Sequence, residues 1–154
     1  IFIQRYQKLA KLPLPTKSLF NIHPLMQSVV LLFSDANIQL DSKELLIYAD
    51  KDQLQQVLVN LLKNACESMY DTPQGAIKIH WRKDSQFIEI EILDDGTGIK
   101  NMDNLFVPFY TTKQQGTGIG LSLSRQILVN HGGDLIIKNR SEHIGVQATL
   151  LIPA

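Results

Sequence analysis

The chain has 154 residues, which fits one compact domain, and 44% of them are hydrophobic, enough to supply a core. Its 15 basic and 15 acidic residues cancel, so the composition excludes the basic footprint typical of nucleic-acid binding. No apolar run approaches the roughly 18 residues of a membrane span. The single cysteine, Cys66, excludes an internal disulfide and suits a reducing, cytoplasmic compartment.

The N-terminal segment is predicted to end one element and lead into another. Residues 1–12 have a charged helical pattern that stops at the Leu-Pro-Leu-Pro of residues 12–15, because proline and the residue before it resist helix. We therefore expect residues 1–15 to be a helix end and linker, and residues 16–154 to form the domain. Inside it, residues 24–33 are predicted to be helical and residues 45–49 to form a short strand.

The strongest helical pattern begins after Asp50, a residue type that caps helix N-termini. Apolar side chains at three-and-four spacing predict a buried stripe of Leu54, Val57, Leu58, Leu61, Leu62, Ala65, Cys66 and Met69. The opposite, polar face is predicted to carry Gln53, Gln56, Asn60, Lys63, Asn64 and Glu67.

Two asparagines on that polar face are candidates for a site. Asn60 and Asn64 are four residues apart and therefore share one face of the helix. Carboxamide oxygens suit a magnesium ion already held by phosphates, and Lys63 beside them could approach a phosphate. A solvated helix face has the same composition, so the pair alone leaves both interpretations open.

An acidic, glycine-bearing turn follows a predicted hairpin. The inward-facing residues of the two strands are predicted to be Ile77, Ile79, Trp81, Ile88, Ile90 and Ile92. If the second strand continues, period-two alternation puts Asp94 on the buried face and Asp95 outside. A buried carboxylate must be hydrogen-bonded, and the exocyclic amine of adenine is a suitable donor, with Gly96 and Gly98 leaving room for a flat ring. A plain Asp-Gly hairpin turn would have the same residues.

A glycine-rich segment opens the next predicted helix, which runs from about residue 118 to 130. The residues at its start are Gly116, Thr117, Gly118, Ile119, Gly120 and Leu121. Backbone N–H groups at a helix N-terminus bind anions, and glycine permits them to turn inward. A dinucleotide fingerprint is the alternative, although no strand directly precedes this segment and the G-x-G-x-x-G spacing is absent.

Residues 100–117 are predicted to be irregular and contain an aromatic stretch. The aromatic side chains could anchor a loop against the body, while Thr111, Thr112 and Lys113 could reach phosphates. A hydrophobic plug with incidental polar neighbours is the alternative and fits Phe106. A closing hairpin is predicted at residues 135–138 and 146–152.

The order of these motifs resembles the GHKL superfamily of ATP-binding domains, and within it the bacterial sensor histidine kinases of the nitrogen-regulation type. Residues 56–65 are similar to the N box, residues 94–99 to the first glycine box, residues 106–113 to the F box and residues 116–121 to the second glycine box. Residues 122–133 and 148–153 also fit. The resemblance implies the Bergerat ATP-binding fold of the α/β (α+β) class, a two-layer sandwich with a mixed, mainly antiparallel sheet and helices on one face.

The resemblance also implies ATP and Mg²⁺ as cofactors and a role for each matching residue. Asp94 would bond the adenine amine, with Gly96, Gly98 and Ile99 lining the pocket. Asn64 would ligate the magnesium ion and Asn60 would assist at the phosphates, both as catalytic residues. The remaining nucleotide-binding positions would be Lys63, Phe106, Thr111, Thr112, Lys113, Gly116, Thr117, Gly118, Ile119, Gly120, Leu121 and Thr149.

The residue at position 60 and the histidines bear on the reaction type. ATP-hydrolysing relatives typically have a glutamate at the position of Asn60, and an asparagine cannot activate water, so the resemblance favours phosphoryl transfer to a protein. None of the four histidines has the context of an acceptor motif. The acceptor is therefore expected upstream of Ile1.

The resemblance implies two partners: the dimerisation and histidine-phosphotransfer domain of the same protein, and a response regulator receiver domain. The chain itself is expected to be monomeric and cytoplasmic, with membrane attachment of the parent protein left open. An anti-sigma-type serine kinase and a non-catalytic nucleotide-sensing module remain alternatives.

Overall fold

A computed structural model describes residues 12–100, 102–103, 105–107 and 120–154. The elements in chain order are β1 (Ser18–Asn21), α1 (Ile22–Val30), a 3-10 turn (Leu31–Phe33), β2 (Ile38–Leu40), β3 (Leu46–Ala49), α2 (Lys51–Ser68), β4 (Ile77–Lys83), β5 (Phe87–Asp94), α3 (Gly120–Asn130), β6 (Asp134–Asn139) and β7 (Val146–Pro153). The predicted helix over residues 1–12 lies almost wholly outside the described residues.

The main sheet has five strands in the order β2-β4-β5-β7-β6. Only β2 and β4 run parallel, and the other neighbours are antiparallel. Strands β1 and β3 form a separate antiparallel pair. The predicted mixed, mainly antiparallel sheet is therefore confirmed.

One face of the main sheet is apolar and lies against the helices. Its register puts Ile79, Ile92 and Ala148 side by side on neighbouring strands, and all three are buried. The long helix α2 packs on β5, and α3 packs on β6 and β7 and against α2. Helices on one face of a single sheet make a two-layer sandwich, as predicted.

The helix stripe predicted from periodicity is nearly all buried, with Cys66 half-buried. Gln53, which the periodicity assigned to the polar face, is instead 8% exposed. Its Nε2 donates to the carbonyl oxygen of Pro13 at 2.9 Å, so the segment before β1 covers it. The helix predicted for residues 24–33 begins earlier, at Ile22, because the Asn21 side chain accepts from the N–H of His23 and caps it.

None of the helices that the structure describes has the length and apolarity needed to cross a lipid bilayer.

Candidate functional site

The carboxylate of Asp94 lies at the end of β5 and is 4% exposed. The burial predicted from strand alternation is confirmed, because the inward residues of β5 alternate without interruption up to this position. Its Oδ1 accepts hydrogen bonds from the N–H groups of Gly96 at 2.9 Å and Val146 at 3.2 Å. Burial raises the pKa of Asp94 above its ordinary value, and these two hydrogen bonds limit the rise.

The turn after β5 rests on the C-terminal end of α2. A Cβ atom on Gly96 would lie 2.3 Å from Oγ and 2.7 Å from the carbonyl oxygen of Ser68, a distance that only glycine permits. The N–H of Thr97 donates to the same Ser68 carbonyl at 3.3 Å. The turn and the helix are therefore in direct contact at Asp94.

The next residues of the turn are tied to β6. Gly98 has a φ of 78°, in the left-handed region that glycine adopts without strain. Ile99 exchanges two hydrogen bonds with the side chain of Asn139, at 2.8 Å to its Oδ1 and 2.9 Å from its Nδ2. These bonds fix the second half of the turn, and Asn139 was not singled out by the sequence.

A row of polar residues on α2 begins at the Asp94 turn and runs toward the N-terminus of that helix. Asn60, Asn64 and Ser68 follow at intervals of four residues and so form one ridge. Asn60 precedes Ser68 by about 12 Å along the helix axis, from a rise of roughly 1.5 Å per residue. Asn60 Nδ2 donates to Oγ of Ser124 at 3.4 Å, and Ser124 on α3 is fully buried. The bond fixes the Asn60 carboxamide from α3, a contact that no sequence motif indicated.

Two further features border Asn60 and Asn64 on α2. Lys63 is exposed, so its ammonium group extends from the same helix into solvent. A shallow groove of about 300 Å³ extends from Asn60 toward the start of α2 and is lined by Asp52, Gln55, Gln56, Val59 and Asn60. It leads away from Asp94.

The predicted loop and glycine segment are described only at their ends. Phe106 is half-buried against the core, and the guanidinium of Arg125 lies 4.8 Å from the centre of its ring, so Phe106 anchors this segment to α3. Gly120 begins α3, and Leu121 packs against the core. The predicted site residues Thr111, Thr112, Lys113, Gly116, Thr117, Gly118 and Ile119 lie outside the described residues.

Thr149 is not brought to the other candidates. It pairs with Glu91 and Ile136 in the middle of the sheet, whereas its neighbours Ala148 and Leu150 are buried under the helices. Because side chains alternate along a strand, Thr149 faces the side of the sheet opposite to Asp94. The residue of β7 that does contact Asp94 is Val146, through its backbone N–H.

A cluster of charged residues outside the predicted site contacts the Asp94 turn from the connection between β6 and β7. Oδ1 of Asp95 lies 2.8 Å from Nη1 of Arg140 and 2.7 Å from Nε2 of His143, and Oδ2 accepts from the N–H of Ala76 at 2.9 Å. The Ala76 and His143 bonds lower the pKa of Asp95 below its ordinary value. Charged residues in a loop 45 positions along the chain carry no local pattern that would have predicted this.

The donor set suits a magnesium ion that arrives with phosphates. Among the described residues, no group of three or more His, Cys, Asp or Glu side chains could hold a metal ion by itself. Mg²⁺ typically takes one or two protein oxygens and completes its shell with phosphate and water oxygens. The carboxamide oxygens on the α2 ridge fit that limited role.

Sensor kinases are among the known proteins to which this chain is similar. FixL of Bradyrhizobium diazoefficiens is 42% identical over 110 residues, which are 70% of this chain and 21% of that protein. The sensory histidine kinase/phosphatase NtrB of Rhizobium leguminosarum bv. phaseoli is 36% identical over 124 residues, 70% of this chain and 32% of that protein. This chain thus spans about a fifth to a third of the length of these relatives.

Solved structures agree with this comparison. The catalytic domain of histidine kinase ThkA superimposes with a TM-score of 0.77 and 32% identity, covering 89% of this chain and 95% of that one. ThkA in complex with the response regulator protein TrrA superimposes with a TM-score of 0.78 and 28% identity, covering 98% of this chain and 46% of that one. Residues 49–154, more than half of the chain, match the family of histidine kinase-, DNA gyrase B-, and HSP90-like ATPases. The chain belongs to that family, and within it is similar to the catalytic domains of sensor histidine kinases.

Proposed function

We propose that this domain binds Mg-ATP and transfers the γ-phosphate to a histidine on the dimerisation domain of its own parent protein. The observation that carries the proposal is the buried Asp94 carboxylate, which lies beside the end of an asparagine-bearing ridge on α2. The acceptor lies at one end of the ridge, and the carboxamides of Asn64 and Asn60 follow about 6 Å and about 12 Å along the helix axis from that end. This spacing suits an adenine and its phosphates.

Asp94 can recognise adenine by accepting from its amine. Oδ1 already accepts from the backbone N–H groups of Gly96 and Val146, so Oδ2 would be the oxygen that accepts from the ligand. The Ser68 hydroxyl also hydrogen-bonds to this carboxylate and would help to orient it. An ionised, aligned carboxylate is the stronger acceptor, because protonation turns one of its oxygens into a donor and misalignment leaves the buried amine without a partner. Gly96, Gly98 and Ile99 would line this end of the ligand.

The asparagines would serve the phosphate end. Asn64 would hold the magnesium ion and Asn60, oriented by Ser124, would assist it, with Lys63 and the residues at the start of α3 completing the charge neutralisation. When bound, the ion withdraws charge from the phosphate oxygens. The groove next to Asn60 would leave the terminal phosphate open to an incoming side chain.

The absence of a carboxylate at position 60 distinguishes this site from a hydrolase. An asparagine side chain is a poor base and cannot take the proton from an attacking water. A protein acceptor that brings its own nucleophile does not need that base at position 60. Catalysis by the domain would then consist mainly of positioning and charge neutralisation.

Titration of the chain with a non-hydrolysable ATP analogue and Mg²⁺ tests the binding step. Asp94→Asn should weaken binding roughly 10- to 100-fold, the cost of about 1–3 kcal/mol for an unpaired buried polar group. Asp84→Asn is the matched control, because Asp84 lies in the hairpin at the other end of β5 and its side chain accepts from the N–H groups of Gln86 and Phe87, a role that asparagine can keep. Equal affinity in wild type and Asp94→Asn would refute the assignment.

The transfer step is tested with the full-length parent protein and labelled ATP. A phosphohistidine product is lost in acid and survives in base, whereas a phosphoserine product survives in acid. Acid-labile label supports the histidine kinase. Acid-stable label would favour a serine kinase, and nucleotide binding without label on the parent would favour a sensing module.

A further inference from the structure

Arg140, in the connection between β6 and β7, is a buried charge in contact with the Asp94 turn. Its side chain is 8% exposed, and Nη1 donates to the backbone carbonyl of Asp94 at 3.1 Å and to Oδ1 of Asp95 at 2.8 Å. Nη2 lies 3.5 Å from the carboxylate of Glu142. One guanidinium therefore spans the peptide that joins the two aspartates.

The same connection also supplies a partner for the Asp94 side chain. The N–H of Arg140 donates to the carbonyl oxygen of Gly145, which closes the connection, and the next residue, Val146, donates to Oδ1 of Asp94. A Cβ atom on Gly145 would lie 2.1 Å from the Asp94 carbonyl, so the two backbones are in close contact. Moving Arg140 would therefore move both the backbone and the carboxylate partner of Asp94.

We propose that Arg140 is a positioning residue for nucleotide recognition, which holds the Asp94–Asp95 peptide in place and keeps the Asp94 side chain an ionised, aligned acceptor. The inference rests on the proposed function and adds a residue that lies outside every motif of the nucleotide site. Arg140 does not itself touch the ligand in this proposal.

The charges around Asp94 support this role. Burial raises the pKa of Asp94, and the nearby Arg140 charge is one of the influences that lower it. The Cys66 thiol on α2 also interacts with Asp94, and its own pKa is raised by burial. Around Arg140 lie Asp95 and Glu142, and His143 contacts Asp95. Among these groups, Arg140 is the permanent positive charge next to Asp94.

A purely structural role explains the arrangement less well. Nε of Arg140 is buried and has no hydrogen-bond partner among the described residues. An unsatisfied buried donor reduces the stability gained from the ion pair, and buried ion pairs are weak contributors to stability in general. The burial of the Arg140 charge is better explained by its effect on the position and ionisation of Asp94.

The test is the pH dependence of ATP-analogue binding from pH 5 to 8.5, in wild type, Arg140→Met and Arg140→Lys. Protonation of Asp94 turns one carboxyl oxygen into a donor and weakens the other as an acceptor, so affinity falls at low pH, along the acid limb of the pH profile. Removing a positive charge raises the pKa of Asp94 further, so Arg140→Met should move that acid limb to higher pH and weaken binding about tenfold near neutrality, the scale of one charge-assisted hydrogen bond. Arg140→Lys should return the limb toward the wild-type position, because lysine keeps the charge without the two-armed geometry.

Arg82→Met is the matched control. Arg82 pairs with Glu89 at 2.7 Å on the exposed face of the same sheet, so its loss removes a similar ion pair without touching Asp94. It should leave both affinity and the acid limb unchanged. The phosphates of the ATP analogue also titrate in this pH range, but this effect is the same for every variant and cancels when the variants are compared with wild type.

The outcomes separate the two proposals. Wild-type protein that does not bind the analogue refutes the proposed function. If wild type binds and Arg140→Met matches it at every pH, or loses affinity equally at every pH with no movement of the limb, the Arg140 inference is wrong and the proposed function stands. If Arg140→Met does not fold by circular dichroism, Arg140→Gln takes its place, and the same outcomes decide.

Discussion

His131 and Asp50, 81 positions apart in sequence, are joined by a hydrogen bond of 3.0 Å from the backbone N–H of Asp50 to Nε2 of His131. Nδ1 of the same ring lies 2.8 Å from the carbonyl oxygen of Ile127. An acceptor at Nε2 and a carbonyl at Nδ1 define a neutral imidazole with its proton on Nδ1. The ring thereby joins the end of α3 to the start of α2, at the end of α2 opposite to Ser68.

His131→Phe should destabilise the domain by about 1–3 kcal/mol, because the half-buried N–H of Asp50 loses its acceptor although an aromatic ring remains in the core. Urea unfolding followed by circular dichroism measures the loss. His80→Phe is the control, since the His80 side chain is 45% exposed and pairs only loosely with Glu91, at 3.6 Å. Similar unfolding midpoints for both variants would contradict a structural role of the His131 ring.

Asp50 caps α2 and also accepts from the segment before β1. Oδ1 accepts from the N–H of Gln53 at 3.1 Å and Oδ2 from the N–H of Thr16 at 2.8 Å. Burial alone would raise the pKa of Asp50, but these bonds hold it below the ordinary value of 3.8. Because the folded-state pKa is lowered, the ionised carboxylate stabilises the fold above the ordinary pKa, and this contribution is lost as pH falls through the folded-state pKa.

Asp50→Ala should therefore cost about 1 kcal/mol at neutral pH, a typical value for a lost N-cap. Asp50→Asn retains an acceptor and should cost less. The two substitutions differ in acid: wild type should lose its advantage over Asp50→Asn as pH falls below about 3.8, since only the carboxylate titrates. Urea unfolding at pH 7 and at pH 3 measures both effects, and a constant difference between wild type and Asp50→Asn would contradict the linkage.

Local periodicity was sufficient to predict the elements that position Asp94. The alternation of apolar residues in β5 and the apolar three-and-four spacing in α2 each repeat several times, so one residue that departs from the pattern does not obscure it. Short strands show few repeats of a period of two, so their prediction was uneven: β3, with four residues, was predicted, whereas β1 and β2, with four and three residues, were not.

The contacts that complete the site are not local and were not predictable in the same way. Ser124 meets Asn60 from 64 positions away, and Arg140 meets Asp94 from 46 positions away. Arg140 lies outside the segments that fit the family, and Ser124 lies in one of them without an assigned role, because each contact depends on which elements pack together. Thr149 was predicted to bind the nucleotide because it lies in a segment that fits the family. Its side chain, however, lies on the face of the sheet opposite to Asp94.

Gly96→Ala should prevent the Asp94 turn from packing on α2. The added Cβ would meet the backbone carbonyl of Ser68 as well as its side chain, so the loss cannot be relieved by a Ser68→Ala substitution. We expect a destabilisation of about 1–3 kcal/mol together with lost nucleotide binding. Gly120→Ala is the control for folding, because no atom of the described residues lies within 4 Å of a Cβ placed there and alanine is a better helix former than glycine. Wild-type stability in Gly96→Ala would show that the turn can shift.

Ser124→Ala separates the two ends of the proposed nucleotide site. Oγ of Ser124 holds the Asn60 carboxamide at 3.4 Å but is remote from the Asp94 turn in the hydrogen-bond network. Removing it should lower affinity for the Mg-ATP analogue about fivefold, the scale of one neutral hydrogen bond of about 1 kcal/mol. Affinity for adenosine, which lacks phosphates, should not change.

Ser85→Ala is the control for this substitution, since Ser85 is exposed in the hairpin between β4 and β5. Titrations with Mg-ATP analogue and with adenosine, run on wild type and both variants, give the four comparisons needed. A loss confined to the phosphate-bearing ligand is expected, because Ser124 acts only through Asn60. An equal loss for adenosine would mean that α3 supports the whole pocket, and no loss for either ligand would mean that Asn60 does not need Ser124 to reach the phosphates.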